Sequence, residues 1–362
     1  VKRTVHTAVI ICLAGGILIT VFGILFSHNI LALMNTKDEL IDGAVLYLRI
    51  YLLGMPALGL YNFGNAVLSA AGDTKRPLYY LAFAGVVNVI LNLFFVIVCH
   101  LGVAGVALAS MISQFISAFL ILRALLTGKE KYCLRLSEIR FDKRKAVGIL
   151  QIGIPSAFQY SLFAFANLFV QSSVNSFDHV LVEGNSAAAN ADPLVYDMMA
   201  AFYTACSSFI AQNFGARKKK RILQTYLICL FYSFITSLVL GVGIYLARYP
   251  FLYLFTSDKA VVEAGITRLS IMALSYSASA FMDASIAASR GLGKTAVPTF
   301  VVVMGSCVFR IIWIYTIFAY FHTIQSLYIL YVFSWGITAI AENIYFFHVY
   351  RHTLTGKTES HL

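Results

Sequence analysis

A chain of 362 residues that is 60% hydrophobic and 12% charged, with a mean hydropathy of +0.80, cannot cover a water-facing surface; soluble domains carry about 25% charged residues. This composition excludes a soluble enzyme; the net charge of +11 invites a nucleic-acid partner, and the distribution of that charge along the chain argues against one. The composition predicts an all-α polytopic membrane protein with the lipid bilayer as its solvent, and the ~10-residue alternating strands of a transmembrane barrel are not seen.

Apolar runs of about 25 residues predict ten spanning helices in chain order: 7–34, 44–71, 77–100, 101–126, 148–177, 184–212, 222–250, 261–289, 296–321 and 323–350. The first four form a lobe over 1–127. The polar stretch 128–147 reads as a cytoplasmic linker, 148–352 as a six-helix second lobe, and 353–362 as a cytoplasmic tail. Of the 27 Lys and Arg residues, 21 fall in segments on one side. These include Lys75 and Arg76, the run from Arg217 to Arg221, and Arg290 with Lys294. The opposite side holds Lys37, Arg49, Arg248, Lys259 and Arg268, and Arg310 falls inside a helix. Such asymmetry places the basic side, and both ends of the chain, in the cytoplasm. The expected location is therefore a cytoplasmic membrane, crossed many times. The six cysteines form no C-x-x-C and read as small hydrophobes.

An internal repeat runs through this pattern. Gly72-Asp73-Thr74-Lys75-Arg76-Pro77 and Gly293-Lys294-Thr295-Ala296-Val297-Pro298 both read G-x-T-x-x-P, 221 residues apart. The register holds upstream: Leu31, Leu48 and Ile50 meet Leu252, Leu269 and Ile271, and Asp42 meets Glu263. Gly72, Thr74, Pro77, Gly293, Thr295 and Pro298 read as structural turns that stop one helix and start the next. Both repeats start on the same side, which makes them parallel, about an axis along the membrane normal. Helices 148–177 and 184–212 have no counterpart in the first lobe. The expectation is thus ten helices of twelve, with about 65–70 further residues preceding Val1.

Several of these stretches resemble the multidrug and toxic compound extrusion (MATE) family, in its bacterial DNA-damage-inducible-F-like and clostridial branch. They are Ala70–Pro77, Leu101–Ala109, Ile152-Gly153-Ile154-Pro155-Ser156, Gln212–Ala216 and Arg290–Thr295. The resemblance covers nearly the whole chain. It implies two six-helix bundles and secondary antiport of organic, often cationic, drugs or toxic metabolites. Inward sodium or protons would drive it, with no other cofactor, and the working unit is expected to be a monomer. Nucleotide-binding and hydrolase motifs are missing from the sequence, so the chain reads as a transporter rather than an enzyme.

Ionisable groups inside helices are costly and mark pathways or partners. They are Asp192, Asp197, Asp283, Arg310 and Glu342, with Asp197 and Asp283 near mid-helix. A carboxylate there can hold a proton or pair with a cationic drug, and competition between the two couples them. The alternative is an Asp–Arg310 pair that only fixes packing. Gln159, Phe163, Asn167, Gln171 and Asn175 share a stripe by i,i+4 spacing, beside Tyr160 and Phe165. That stripe reads as cavity-facing, with helix-packing amides as the alternative. Pro155 and Pro193 are candidate hinges.

Two cation sites known in the family carry over incompletely. One places an acidic residue where this chain has Ser279, with Asp283 one turn on, and a Glu where it has Phe163. The other maps onto Asn88, Asn92 and Ser110, which keep the spacing and lack the carboxylate. Such a site could still take sodium through oxygens. Two competing functions stand beside antiport. One is a flippase for lipid-linked saccharides, whose cavity should be more cationic to meet diphosphate. The other is a truncated, non-transporting remnant. Intramembrane acids outnumber the single Arg310, which favours export of small organic cations.

Overall fold

A computed structural model describes residues 1–33, 38–128, 130 and 132–353. Lys37, Lys129, Lys131, Lys357 and the tail beyond Thr353 lie outside the described residues. All regular structure among the described residues is helical. Among the described residues, nine helical runs are long and apolar enough to cross a membrane, or ten if one bent pair counts as a span.

The chain divides into two compact units, Val1–Leu150 and Gln151–Leu362. The first contains α1 (Lys2–Leu33), α2 (Asp38–Leu52), α3 (Met55–Ala70), α4 (Lys75–Leu93) and α5 (Gly102–Thr127). α4 ends in a π-helical stretch, Phe94–Val98. The span expected at 44–71 is bent by 44° between α2 and α3. Pro56, at the start of α3, has no N–H to offer the carbonyl of Leu52 four residues back. The hydroxyl of Thr20 on α1 donates to that carbonyl instead, at 2.6 Å.

The first unit's core joins Val5 and Val9 of α1, Tyr61 and Leu68 of α3, and Ile121 and Leu125 of α5. Gly64 lets α3 lie against Ile121, where a Cβ would sit 2.8 Å from the side chain. The stretch expected as a linker packs on this unit. Leu134 is buried in the same core. His6 Nε2 accepts from the Arg135 N–H at 3.2 Å, and Thr7 Oγ1 accepts from the Asp142 N–H at 3.1 Å. Lys2 pairs with Glu138. The hydrogen bond and charge of Lys2, with Arg135 adding to them, hold the Glu138 carboxyl below its ordinary range.

α6 (Lys143–Val174) runs from the first unit's residues into the second. There follow α7 (His179–Ala189), α8 (Ala191–Gly215), α9 (Lys219–Leu246), α10 (Arg248–Tyr253) and α11 (Lys259–Gly291). α7 and α8 form one continuous run across 184–212. The span expected at 296–321 consists of α12 (Ala296–Val302), α13 (Phe309–Trp313) and α14 (Ala319–Phe321), interrupted by π-helical stretches Val303–Val308 and Ile314–Phe318. α15 (Ile324–His352) closes the unit.

α11 is the hub of the second unit and packs on α7, α8, α9 and α15. Small residues permit this approach, as in membrane helix packing generally. A Cβ on Gly184 of α7 would sit 2.8 Å from the Val261 carbonyl, and one on Gly241 of α9 would overlap the Ala273 carbonyl.

The repeat extends to backbone detail within each unit. Gly72 (φ +92°) and Gly293 (φ +75°) take the left-handed conformation. In each turn the following N–H returns to the carbonyl five residues back, Asp73 to Leu68 at 2.9 Å and Lys294 to Ser289 at 3.0 Å. This is the Schellman closure, which glycine permits at no steric cost. Phe94–Val98 and Ile314–Phe318 are π-helical at matching places, and each run ends near a left-handed histidine, His100 and His322.

Candidate functional site

The second unit holds an open-mouthed cavity of about 510 Å³ lined from α6, α7, α8, α11, α13 and α15. α6 presents Gln159, Phe163 and Asn167 to it, with Gln171 further along. Phe165 and Asn175 do not line it; Asn175 accepts a hydrogen bond from Gln171 at 2.9 Å. α11 presents Arg268, Met272, Asp283 and Arg290. The last two stand 15 and 22 residues beyond Arg268, within about 60° of it around a helix of 3.6 residues per turn.

Three arginines therefore reach this cavity. Arg268 is buried and belongs to α11, not to a loop. Its Nη2 donates to Asp192 at 2.6 Å and its Nη1 to Asn185 Oδ1 at 2.6 Å. The Tyr276 hydroxyl donates to the other Asp192 oxygen. Asp192 thus pairs with Arg268 rather than with Arg310. Arg290 also lies within α11, so both arginines leave the loop count, and the charge asymmetry persists without them. Its Nη2 donates to Gln159 Oε1 at 2.8 Å, while its Nε is buried without a partner. Thr299 Oγ1 donates to the same Gln159 oxygen at 3.4 Å.

Arg310 is 1% exposed. It donates to Asn167 Oδ1 at 2.8 Å and Ser334 Oγ at 3.3 Å, and its guanidinium lies 5.1 and 4.6 Å from the ring centres of Phe163 and Tyr331. No carboxylate among the described residues lies within 4.0 Å of it. An Asp–Arg310 packing pair is therefore not formed. Three arginines and two aspartates line the cavity, so an excess of acids over one arginine does not describe it.

Asp283 faces the cavity and makes no ion pair among the described residues. Asp197 is exposed on α8 and is not part of the lining. Five residues from Asp192, it points about 140° away around the helix. Glu342 lies off the cavity, fully buried in α15, with both carboxylate oxygens lacking a hydrogen-bond partner.

In the first unit, Asn92 Nδ2 donates to Asn88 Oδ1 at 3.0 Å, and Asn92 Oδ1 is buried without a partner. Ser110 on α5 makes no hydrogen bond to this pair. Gly293, Thr295 and Pro298 of the second unit's turn are not part of the cavity lining. Thr295 is buried, and its hydroxyl donates to the Gln151 carbonyl at 3.3 Å. Pro155, four residues on in α6, leaves that carbonyl without its helical partner.

A family model described as MatE matches residues 1–94 and 155–316. Among curated proteins, "Probable multidrug resistance protein YpnP" of Bacillus subtilis is 33% identical over 55% of this chain and 44% of its own length. The "FAD transporter" of Shewanella oneidensis is 23% identical over 72% of this chain and 59% of its own length. The chain thus spans about half the length of these curated relatives. A solved MOP superfamily transporter from Pyrococcus furiosus shares the fold with a TM-score of 0.90, at 21% identity over 97% of this chain and 79% of that one.

Proposed function

Because this chain belongs to the MatE family of membrane transporters, we propose that it serves a secondary antiporter that exports organic compounds on an inward proton or sodium gradient. The observation that carries the reading is the second unit's cavity, in which an unpaired Asp283 faces aromatic and guanidinium groups. A carboxylate in such a place can be neutralised by a proton, by sodium or by a cationic group of the substrate. When these exclude one another, entry of the ion releases the substrate, and the coupling is reciprocal. Relatives named for multidrug resistance and for FAD transport support a cavity that accepts large aromatic compounds. The basic loops face the cytoplasm of a bacterial cell in this reading, and the transporter works as a monomer.

Vesicle efflux with pH and sodium gradients imposed separately tests the proposal. Wild type is expected to move a fluorescent organic ion only when one gradient is present. Asp283→Asn is expected to bind the same compound while losing gradient-driven efflux by up to about a hundredfold, the upper range of coupling between two sites. Full efflux by that variant would remove Asp283 from the coupling role.

A second reading is the flippase for lipid-linked saccharides, favoured by one observation: three arginines reach the cavity.

A further inference from the structure

We infer that the second unit's cavity seats the acidic group of an organic anion at Arg310, with an aromatic body against Phe163. This rests on reading that cavity as the substrate chamber, and it commits the substrate to a carboxylate, sulfonate or phosphate ester on an apolar ring system.

The charge balance of the walls points there. Arg268 is matched by Asp192. Arg310 is not matched: its side-chain hydrogen bonds go to the neutral oxygens of Asn167 and Ser334, whereas Arg290, hydrogen-bonded to Gln159, lies within electrostatic reach of Asp283 and Glu342. Asp283 is the one remaining carboxylate of the lining. With Arg268 set against Asp192, and Arg290 against Asp283 and Glu342, Arg310 is left as the buried guanidinium with no carboxylate within 4.0 Å. A buried cation without an anion is strongly unfavourable, whereas a bound acid relieves it through charge-assisted, forked hydrogen bonds.

Arg310 stands at the cavity wall and is 1% exposed, so seating an acid on it takes a side-chain movement at Phe163 or Tyr331. Asn167 and Ser334 fix two edges of the Arg310 guanidinium, and the rings of Phe163 and Tyr331 lie beside it. Gln159 is itself buried, and its oxygen holds Arg290. Gln159, Phe163 and Asn167 are successive rungs of α6, so the two arginine stations lie about 12 Å apart along that helix, with Phe163 between them. A cavity of about 510 Å³ is within the range that encloses a drug-sized molecule.

Calorimetric titration of the full chain in phosphatidylcholine nanodiscs tests this with three probes: 1-naphthyl phosphate, neutral 1-naphthol and the 1-naphthyltrimethylammonium cation. The phosphate is expected to bind at least about tenfold more tightly than either of the others. Arg310→Gln should remove that advantage, with 1-naphthol binding measured alongside to report an intact cavity. Arg310→Lys should restore part of it. Repeating the titration with phosphatidic acid added separates two sources of the same chemistry. Displacement of 1-naphthyl phosphate assigns the seat to a lipid phosphate, and undiminished binding assigns it to a soluble anion. Equal binding of the three probes, or preference for the ammonium, overturns the anion seat and leaves the exporter reading standing. Failure of all three to bind overturns both.

Discussion

At the scale of single residues, the buried charges differ in what holds them. Arg268 has a carboxylate, an amide and, through Asp192, a tyrosine hydroxyl around it. Asp192→Asn removes the countercharge and is expected to cost roughly 3 kcal/mol, the scale for breaking a buried pair. The measurement is chemical unfolding in detergent. Adding Arg268→Met should recover most of the loss, and a cost below about 1 kcal/mol would show that Arg268 does not depend on Asp192. Glu342 is the opposite case, since neither of its oxygens has a hydrogen-bond partner. An unpartnered buried carboxylate opposes folding, so Glu342→Gln should leave the unfolding midpoint unchanged or raise it. A marked drop would mean that the carboxylate is held as an ion by something bound beside it.

At the scale of elements, prolines and threonines act in pairs. Pro56 frees the Leu52 carbonyl and Thr20 takes it; Pro155 frees the Gln151 carbonyl and Thr295 takes it. In each case a helix that proline has opened is tied to a different element. Thr295→Val should cost about 1 kcal/mol in the native sequence. In a Pro155→Ala background, where the helix regains its own N–H, the same change should cost much less. A double-mutant cycle with no coupling would show that Thr295 is buried for packing alone. The 132–142 segment is tied down differently, by His6, Thr7 and the Lys2–Glu138 pair. Because the folded state lowers the Glu138 pKa, its contribution is fully present above the ordinary carboxylate range. It is lost as pH falls through the lowered folded value. Amide exchange across 133–142 should accelerate in that acid window and not on the alkaline side.

At the scale of the whole molecule, the helix inventory and the repeat were legible because apolar length and turn chemistry are local signals. The α6 stripe was legible too, since amides are conspicuous in an apolar run. Arg268 and Arg290 were not, because charge at the edge of an apolar run looks like a loop. Only their common face with Asp283 along α11 could have exposed them. Asp197 shows the converse: a mid-helix position fixes depth and leaves direction open. The bend at Pro56 and the π-helical stretches depend on tertiary partners that no local pattern carries. α11 itself has a consequence for biogenesis. It is the least apolar of the spanning helices and the most buried, and it carries Arg268, Asp283 and Arg290 along one face. Each such charge costs about 2.5–3.5 kcal/mol at the centre of a helix entering lipid alone. α11 therefore needs a receptor in the membrane when it leaves the ribosome. Asp192 and the glycine faces of α7 and α9 are that receptor, and all three are translated before it. The order of elements along the chain thus puts three of the hub's packing partners ahead of it, and α15 closes on it last.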